Sequence, residues 1–307
     1  MLTAVPAVAQ SYPVKPIRFV VPFTAGGSQD VIARLLAHKL TVSMGHQVVI
    51  DNRGGAAGLI AAELVAKAPR DGYTILLTSA AQISIAPALH TGLAYDPVRD
   101  FAPITQLVDT PMALIVNTGL PVKSVNDLIA LARSKPLNYA STGNGSISQL
   151  TMEALKSAAG VDITHVPYKG AAPALIDMMA GQVSLMFTST VSAAPYTSSG
   201  KLKALAVASR KRSSMMPEVP TLIEAGIRNF ESTVWVGVSA TGGSPATIIK
   251  KLHDEFVQAL HAPDIKERLA VLGAEPVGST PEAFAALIRE DIVRWAQVVK
   301  TSGVRLD

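Results

Sequence analysis

Short apolar runs and amphipathic segments alternate along the chain in a regular order. Residues 17–21 form a β-branched run typical of an interior strand, and apolar residues recur at helical spacing between 31 and 40. A loop of mostly small residues at 24–28 separates the two. This order predicts a strand, a loop and an amphipathic helix, which is the repeating unit of an α/β protein with a parallel sheet.

The same pattern continues through the rest of the chain. It predicts further strands at 47–50, 73–78, 137–141, 162–166, 183–187, 203–208 and 234–238. It predicts helices at 59–68, 125–134, 147–159, 173–180, 246–261, 264–272 and 281–301. Prolines and charges at 95–103, and a polar, basic stretch at 209–220, are typical of linkers.

These linkers divide the chain into two α/β series. At 307 residues the chain is long enough for two domains. We expect a first lobe built from 10–105 plus 236–307, and a second lobe, 106–235, inserted between those parts. Each lobe would be a mostly parallel sheet flanked by helices. Two strands would cross between the lobes, which gives a clamshell with strand-end loops of both lobes facing one cleft.

The loop at 23–30 is a candidate anion site. A helix N-terminus presents unpaired N–H groups and a partial positive charge. Gly26 and Gly27 let a ligand approach the backbone, and the Ser28 hydroxyl can cap the helix or donate to the guest. An ordinary strand-to-helix turn with a good cap explains the stretch equally well. Asp30 is interpreted as a first-turn residue favoured by the helix dipole, with a water-mediated ligand contact as the alternative.

A second strand-to-helix loop of the same kind lies at 142–146, in the other lobe. Two helix N-termini on opposing lobes could hold the two ends of one small anion. The loops at 168–170 and 188–189 would add donors, and Lys169 is the one cation among all these loops. Backbone N–H groups and hydroxyls would therefore carry most of the guest's charge.

Composition and charge exclude several classes of function. The chain has no cysteine, which excludes thiol catalysis, disulfides and thiolate metal sites. The formal net charge of +4 is spread along the chain, and no aromatic residues interleave with the basic cluster at 210–212, which argues against nucleic-acid binding. No apolar run approaches the ~18 residues of a membrane span.

The first residues resemble a processing site. Ala7-Val8-Ala9 has the small-x-small form that a signal peptidase cleaves, although no charged segment or full apolar segment precedes it. We therefore expect residues 1–9 to be the remnant of a secretory signal, with a random alanine-rich terminus as the alternative.

Catalytic and metal-binding motifs are weak throughout. The six histidines lack the spacing of a zinc site, and no Gly-x-Ser-x-Gly elbow occurs. The stretch 143–148 stops one residue short of a dinucleotide fingerprint. We expect no catalytic residues, no metal and no cofactor.

Six stretches together resemble a known family. They are 12–17, 21–27 with Asp30, 52–56, 71–74, 139–146 and 165–170. Spread over nearly the whole chain, they resemble the Bug-type (TctC-like) tripartite tricarboxylate transporter substrate-binding proteins. The resemblance implies a periplasmic receptor with the two-lobe periplasmic-binding-protein fold (Venus flytrap, type II). Such a receptor delivers a small carboxylate, either a di- or tricarboxylate or an aromatic acid, to a membrane permease.

The resemblance also implies which residues bind the ligand. They are Phe23, Thr24, Ala25, Gly26, Gly27, Ser28, Asp30, Ser79, Ala80, Gln82, Ser141, Thr142, Gly143, Asn144, Ser146, Gln149, Tyr168, Lys169, Gly170, Thr188 and Ser189. Gln149 stands where the family often has His, and Ser184 and Thr188 stand where Asp is frequent. Loss of an acidic group favours a plain carboxylate over an amino acid as ligand.

Partners and an alternative function complete these expectations. We expect a monomer that meets its permease transiently and binds no nucleic acid. The alternative is a two-domain α/β enzyme of the clamshell type, similar to a transferase or deaminase, acting on a small carboxylate. Such an enzyme would need a nucleophile or a cofactor anchor in the cleft.

Overall fold

The computed structural model describes residues 12–23, 25–26, 28–168, 170–302 and 304, and it leaves out the side chains of Ser28 and Ala57. The expected signal remnant at 1–9 lies outside these residues, as do the predicted ligand contacts Thr24, Gly27 and Lys169.

Within the described residues the strands form two sheets. They are β1 (Ile17–Val21), β2 (Val48–Asn52), β3 (Thr74–Ser79), β4 (Phe101–Asp109), β5 (Met112–Asn117), β6 (Asn138–Ser141), β7 (Thr164–Pro167), β8 (Leu185–Ser189), β9 (Leu202–Val207), β10 (Val236–Thr241) and β11 (Glu275–Pro276). The first sheet has the order β11-β4-β10-β3-β1-β2, and the second has the order β7-β6-β8-β5-β9.

Helices flank both sheets. They are α1 (Ser28–Met44), α2 (Leu59–Ala66), α3 (Ala86–Leu89), α4 (Val125–Ser134), α5 (Ile147–Ala159), α6 (Ala171–Met179), α7 (Thr190–Ser198), α8 (Ala246–Leu260), α9 (Pro263–Val271) and α10 (Pro281–Ser302). A 3₁₀ turn at Ala56–Gly58 precedes α2, and a π-helical turn at Ala81–Ile85 precedes α3.

Most strands in each sheet run in one direction. In the first sheet β1 pairs in parallel with β2 and β3, while β10 runs antiparallel between β3 and β4. In the second sheet β6 pairs in parallel with β7 and β8, while β5 runs antiparallel between β8 and β9. The predicted α/β class, with mostly parallel sheets flanked by helices, is confirmed. The carboxyl ends of the parallel strands lie where the candidate ligand loops begin.

Two segments connect the sheets, and they pair with each other. Thr110 and Val234 exchange backbone hydrogen bonds of 3.2 and 2.8 Å, and the Met112 N–H donates to the Ser232 carbonyl oxygen at 3.2 Å. Thr110 and Pro111 join β4 to β5, and the segment from Ser232 leads into β10. The two sheets are therefore joined by a short antiparallel ribbon, here called the crossing ribbon (109–112 and 232–236).

Two local predictions differ from the structure. β4 begins at Phe101, inside the predicted linker, because the Phe101 ring is buried and packs edge-on against Tyr95 with ring centroids 5.5 Å apart. The register of β10 shifts opposite Pro103, as expected beside a strand residue that has no N–H to donate. The sequence reading also did not place α7, whose interior contains Pro195 and whose sequence is rich in hydroxyl residues.

Gly237 is the second residue of β10, next to the point where the crossing ribbon enters the first sheet. A methyl group added there would lie 2.6 Å from Cε1 of Phe284 and 2.8 Å from the Thr105 carbonyl oxygen. We expect Gly237→Ala to lower the free energy of unfolding by about 2 kcal/mol, because the backbone oxygen cannot move aside. Urea unfolding measures the loss. Gly92→Ala is the matched control, since a methyl group there meets no atom within 4 Å. Equal stability of both variants would contradict the prediction.

Candidate functional site

In the first candidate loop, between β1 and α1, a buried carboxylate accepts a hydrogen bond from the loop backbone. Asp30 is 2% exposed, and its Oδ2 accepts the Gly26 N–H at 2.8 Å and the Arg34 Nε–H at 2.9 Å. The Asn52 amide donates to Asp30 Oδ1 at 2.8 Å and to the Phe23 carbonyl oxygen at 3.0 Å. Burial alone would raise the pKa of Asp30, but the hydrogen bonds from Arg34, Gly26 and Asn52 outweigh it and hold that pKa below its ordinary value.

The second candidate loop, between β6 and α5, has an equivalent arrangement. The Gly145 N–H donates to Oε1 of Gln149 at 2.7 Å, again from a glycine to a side chain four residues later. Ser146 caps α5 by accepting the Gln149 N–H, and Gly143 and Gly145 adopt the positive φ values that the turn requires. Both loops are therefore held by a hydrogen bond from a glycine N–H to a side chain four residues later. The acceptor is a carboxylate in the first lobe and a neutral amide in the second.

A histidine extends the support of the second loop. His165 Nε2 lies 2.6 Å from Ser141 Oγ, and its Nδ1 lies 3.2 Å from the Gln149 amide nitrogen. Ser141 Oγ in turn accepts the Gly143 N–H at 3.1 Å. Burial lowers the pKa of His165, so the ring is neutral at pH 7; the amide donates to Nδ1, and the remaining ring proton points at Ser141. This chain of hydrogen bonds ties the loop to β6 and β7.

A cavity of about 410 Å³ lies between the two sheets, in the size range of small-molecule sites. It is lined by Phe23, Gln29, Leu59, Ser79, Ala80, Ala81, Ile85, Ala86, Leu89, His90, Asn144, Gly145, Ser146, Ile147 and Val234. Loops that follow β1 and β3 in the first sheet and β6 in the second sheet all contribute, together with one residue of the crossing ribbon.

Five of the predicted ligand residues line this cavity: Phe23, Ser79, Ala80, Asn144 and Ser146. Others are buried and lie outside the lining. Asp30, Gln82, Ser141 and Gln149 have their polar groups hydrogen-bonded within the protein, and Thr188 is buried in β8. Ala25 and Gly26 are exposed at the outer face of their loop. All of the predicted ligand residues, whether or not they line the cavity, stay predictions as ligand contacts.

The remaining predicted residues lie in the second sheet's other loops. The Tyr168 hydroxyl donates to Asp177 at 2.7 Å, and Ser189 caps α7 by accepting the Ser192 N–H at 3.3 Å. Thr142 and Gly170 are also outside the cavity lining, and the Ser28 side chain is not among those that the structure describes. These hydrogen bonds shape the loops without facing the cavity.

The sequence reading missed the segment that runs on from β3. Ile85, Ala86, Leu89 and His90 line the cavity, although the predicted support ended at residue 82. Their apolar spacing was visible in the sequence, but the same spacing is typical of a helix face that packs on a core. Only the position of this segment opposite Ile147 distinguishes the two.

The lining carries little charge. None of the described residues that line the cavity is Asp, Glu, Lys or Arg, and His90 is the titratable side chain among them. Across the described ranges, no group of three or more His, Cys, Asp or Glu side chains is arranged to hold a metal ion. A search of the same ranges found no helix with the length and apolar character needed to cross a membrane.

Gln29 places a buried polar atom without a partner at the cavity wall. Its Oε1 atom is buried and has no hydrogen-bond partner among the described residues, and the side chain lines the cavity from the first turn of α1. Buried amides without partners are rare, so this group is available to a guest.

Comparison with known proteins gives one consistent answer. Residues 32–304 match the family model described as tripartite tricarboxylate transporter family receptor. The chain is 37% identical to Protein BugT of Bordetella pertussis, over 99% of this chain and 94% of that protein.

Solved structures agree with this match. R. palustris Rpa4515 with adipate is 38% identical, with a TM-score of 0.79 over 96% of this chain and 99% of that one. The periplasmic binding protein BugD is 38% identical, with a TM-score of 0.76 over 96% and 99% of the two chains. The resemblance seen in the sequence is confirmed, and the chain belongs to the tripartite tricarboxylate transporter receptor family, whose members are periplasmic solute-binding receptors.

Proposed function

We propose that this protein is a periplasmic receptor that binds a small organic carboxylate in the cavity between the two sheets and delivers it to a membrane permease. The single observation that carries this proposal is the cavity itself, whose walls come from strand-end loops of both sheets. A receptor needs its guest to touch both lobes, because only then does the guest stabilise the closed arrangement.

The chemistry of the walls supports an anionic guest. Gln29 in the first turn of α1 and Ile147 in the first turn of α5 line the cavity, so the unpaired N–H groups of both first turns lie close to it. A carboxylate placed there accepts these hydrogen bonds and meets the positive ends of two helix dipoles. The adipate in the related Rpa4515 structure is a guest of this chemical class.

The lobes that would close are the two parts of the chain already expected from the sequence. We assign the first lobe to 10–105 plus 236–307 and the second to 106–235, with closure about the crossing ribbon. A short paired ribbon can twist while both sheets stay intact, which is the usual behaviour of a hinge. The receptor would act as a monomer and meet its permease transiently.

The arrangement of Ser141 and His165 argues against the enzyme alternative. A serine beside a histidine is the start of a nucleophilic site, but Ser141 is fully buried and its hydroxyl is bonded to the backbone of Gly143. The second nitrogen of His165 faces the neutral amide of Gln149 rather than a carboxylate. This pair supports a loop and has no access to a substrate.

A thermal-shift screen of organic acids tests the proposed function. An acid that binds the native state, present at about 100 times its dissociation constant, should raise the free energy of unfolding by about 2.7 kcal/mol and raise the melting temperature accordingly. Matched amines and sugars serve as controls and should leave the melting temperature unchanged. A panel of mono-, di- and tricarboxylates that produced no shift would refute the proposal, and turnover of any acid would favour the enzyme.

A further inference from the structure

The cavity wall is polar on the side of the strand-end loops and apolar beyond them. Gln29, Ser79, Asn144 and Ser146 supply polar side chains in, or within two residues of, a strand-end loop, and His90 is the one further polar side chain in the described lining. Leu59, Ile85, Ala86, Leu89 and Ile147 supply most of the apolar surface. The segment from Ala81 to Leu89 is helical and follows directly after β3, and it supplies Ala81 as well as Ile85, Ala86 and Leu89 to the wall.

The polar side can satisfy one carboxylate. The Ser79 hydroxyl is already bonded to Gln82 and the Ser146 hydroxyl to Gly143, which leaves amides and first-turn N–H groups as the donors for a guest. The Gln29 amide has a buried oxygen without a partner, and rotation of the amide group would present its NH₂ to the cavity. These groups converge from both sheets on one region.

The apolar side of the described lining satisfies a second carboxylate poorly. A charged group placed against Ile85, Ala86 and Leu89 would lose its water, and the His90 imidazole is the one polar side chain that this described segment adds to the lining, so most of the lost hydration would not be replaced. A methyl, alkyl or phenyl group in the same place would bury apolar surface and gain affinity. The described wall therefore discriminates between acids by the group that they carry at the end opposite the bound carboxylate.

We propose that the cavity selects acids with a single carboxylate and an apolar body, such as phenylacetate or hexanoate, over dicarboxylates of the same length. This inference rests on the proposed receptor function and names the ligand class of that site. The carboxylate lies at the amides of Gln29 and Asn144 and at the starts of α1 and α5. The apolar body lies against Ile85 and Leu89.

Isothermal titration calorimetry of the full chain with hexanoate and adipate tests the inference directly. The two acids have the same chain length and differ in one terminal carboxylate, so size and the first carboxylate are matched. We expect hexanoate and phenylacetate to bind at least about tenfold more tightly than adipate. Adipate binding equal to or tighter than hexanoate would overturn the inference while leaving the receptor function in place. Failure of every acid to bind would refute both.

The variant Leu89→Arg tests the placement of the apolar end. A guanidinium there supplies a permanent cation, which none of the described lining residues provides, so we expect the preference to reverse, with adipate gaining and hexanoate losing about tenfold in affinity. Ile176→Arg is the matched control: its side chain is 59% exposed on α6, away from the cavity, and its preference should stay that of the wild type. Circular dichroism confirms that both variants fold. A folded Leu89→Arg variant that still preferred hexanoate would overturn the placement.

Discussion

Asp109→Asn should abolish a loss of stability that the wild-type protein shows between about pH 4 and pH 7. Asp109 ends β4 at the crossing ribbon, and its Oδ1 is buried with no partner among the described residues. Burial raises the pKa of Asp109 to about 7; a hydrogen bond from Thr233 opposes the rise, while the charges of Glu231, Glu275 and Asp291 add to it.

Two arginines beside Asp109 already form ion pairs with other carboxylates. Arg210 is bonded to Glu231 at 2.7 Å, and Arg294 is bonded to Asp291. Both arginines line a cavity of about 360 Å³ beside Asp109, together with Glu290, but neither forms an ion pair with it. The protonated form of Asp109 is therefore the one that the folded state favours.

The direction of the pH effect follows from this raised pKa. Between the ordinary pKa of 3.8 and the folded value of about 7, the folded state holds a proton that the unfolded state has released. Stability from this group is complete below pH 3.8 and is lost as the pH rises through 7, with a full change of about 4 kcal/mol. An amide cannot ionise, so the variant should not show this fall.

Urea unfolding at a series of pH values measures the effect. The matched control is Asp162→Asn, which removes a carboxylate whose side chain is 96% exposed and should leave the wild-type profile unchanged. An Asp109→Asn profile that still fell by the full amount would show that another group is responsible.

Asp30→Ala should cost about 3 kcal/mol of stability and should also weaken ligand binding. The substitution leaves the Gly26 N–H and the Asn52 amide without their acceptor, and hydrogen bonds to a charged group contribute about 1.5–3 kcal/mol each. Because the freed loop must be ordered again when a guest binds, affinity for the best acid should fall by about tenfold. Asp30 acts here as a positioning residue, since its side chain is not part of the cavity wall.

Two comparisons separate positioning from a general loss of structure. Asp30→Asn keeps the shape and one acceptor, so it should recover part of both losses. It should also remove the loss of stability in acid that Asp30 itself causes. The lowered pKa of Asp30 stabilises the fold at neutral pH, and that contribution disappears as the pH falls through the lowered value. Asp254→Ala removes an exposed carboxylate from an i, i+4 pair with Lys250 and should change neither quantity measurably. Unaltered affinity in a folded Asp30→Ala variant would mean that the loop needs no support.

Local sequence was sufficient for the strand–loop–helix units and for their ends. Short apolar runs and period-3.6 patterns identified β1 with α1 and β6 with α5, because the spacing of apolar residues reflects which side of an element is buried. The helix caps also depend on local sequence: Ser124 accepts the Asp127 N–H at the start of α4, and Gly160 ends α5 in the left-handed conformation.

The roles of the polar residues in those loops depended on partners distant in the sequence. Asp30 is hydrogen-bonded to Asn52, and Ser141 is hydrogen-bonded to His165. These residues, which were predicted as ligand contacts, therefore stabilise the loops.

The sequence by itself thus determined the α/β class, the order of the elements and the two loops that face each other. Only the tertiary structure decided which side chains line the cavity. Periodicity records that a residue is buried but not what covers it. A run such as Ile85 to Leu89 has the same pattern whether it packs on a core or forms the wall of a binding site, and its position between the two sheets makes the difference.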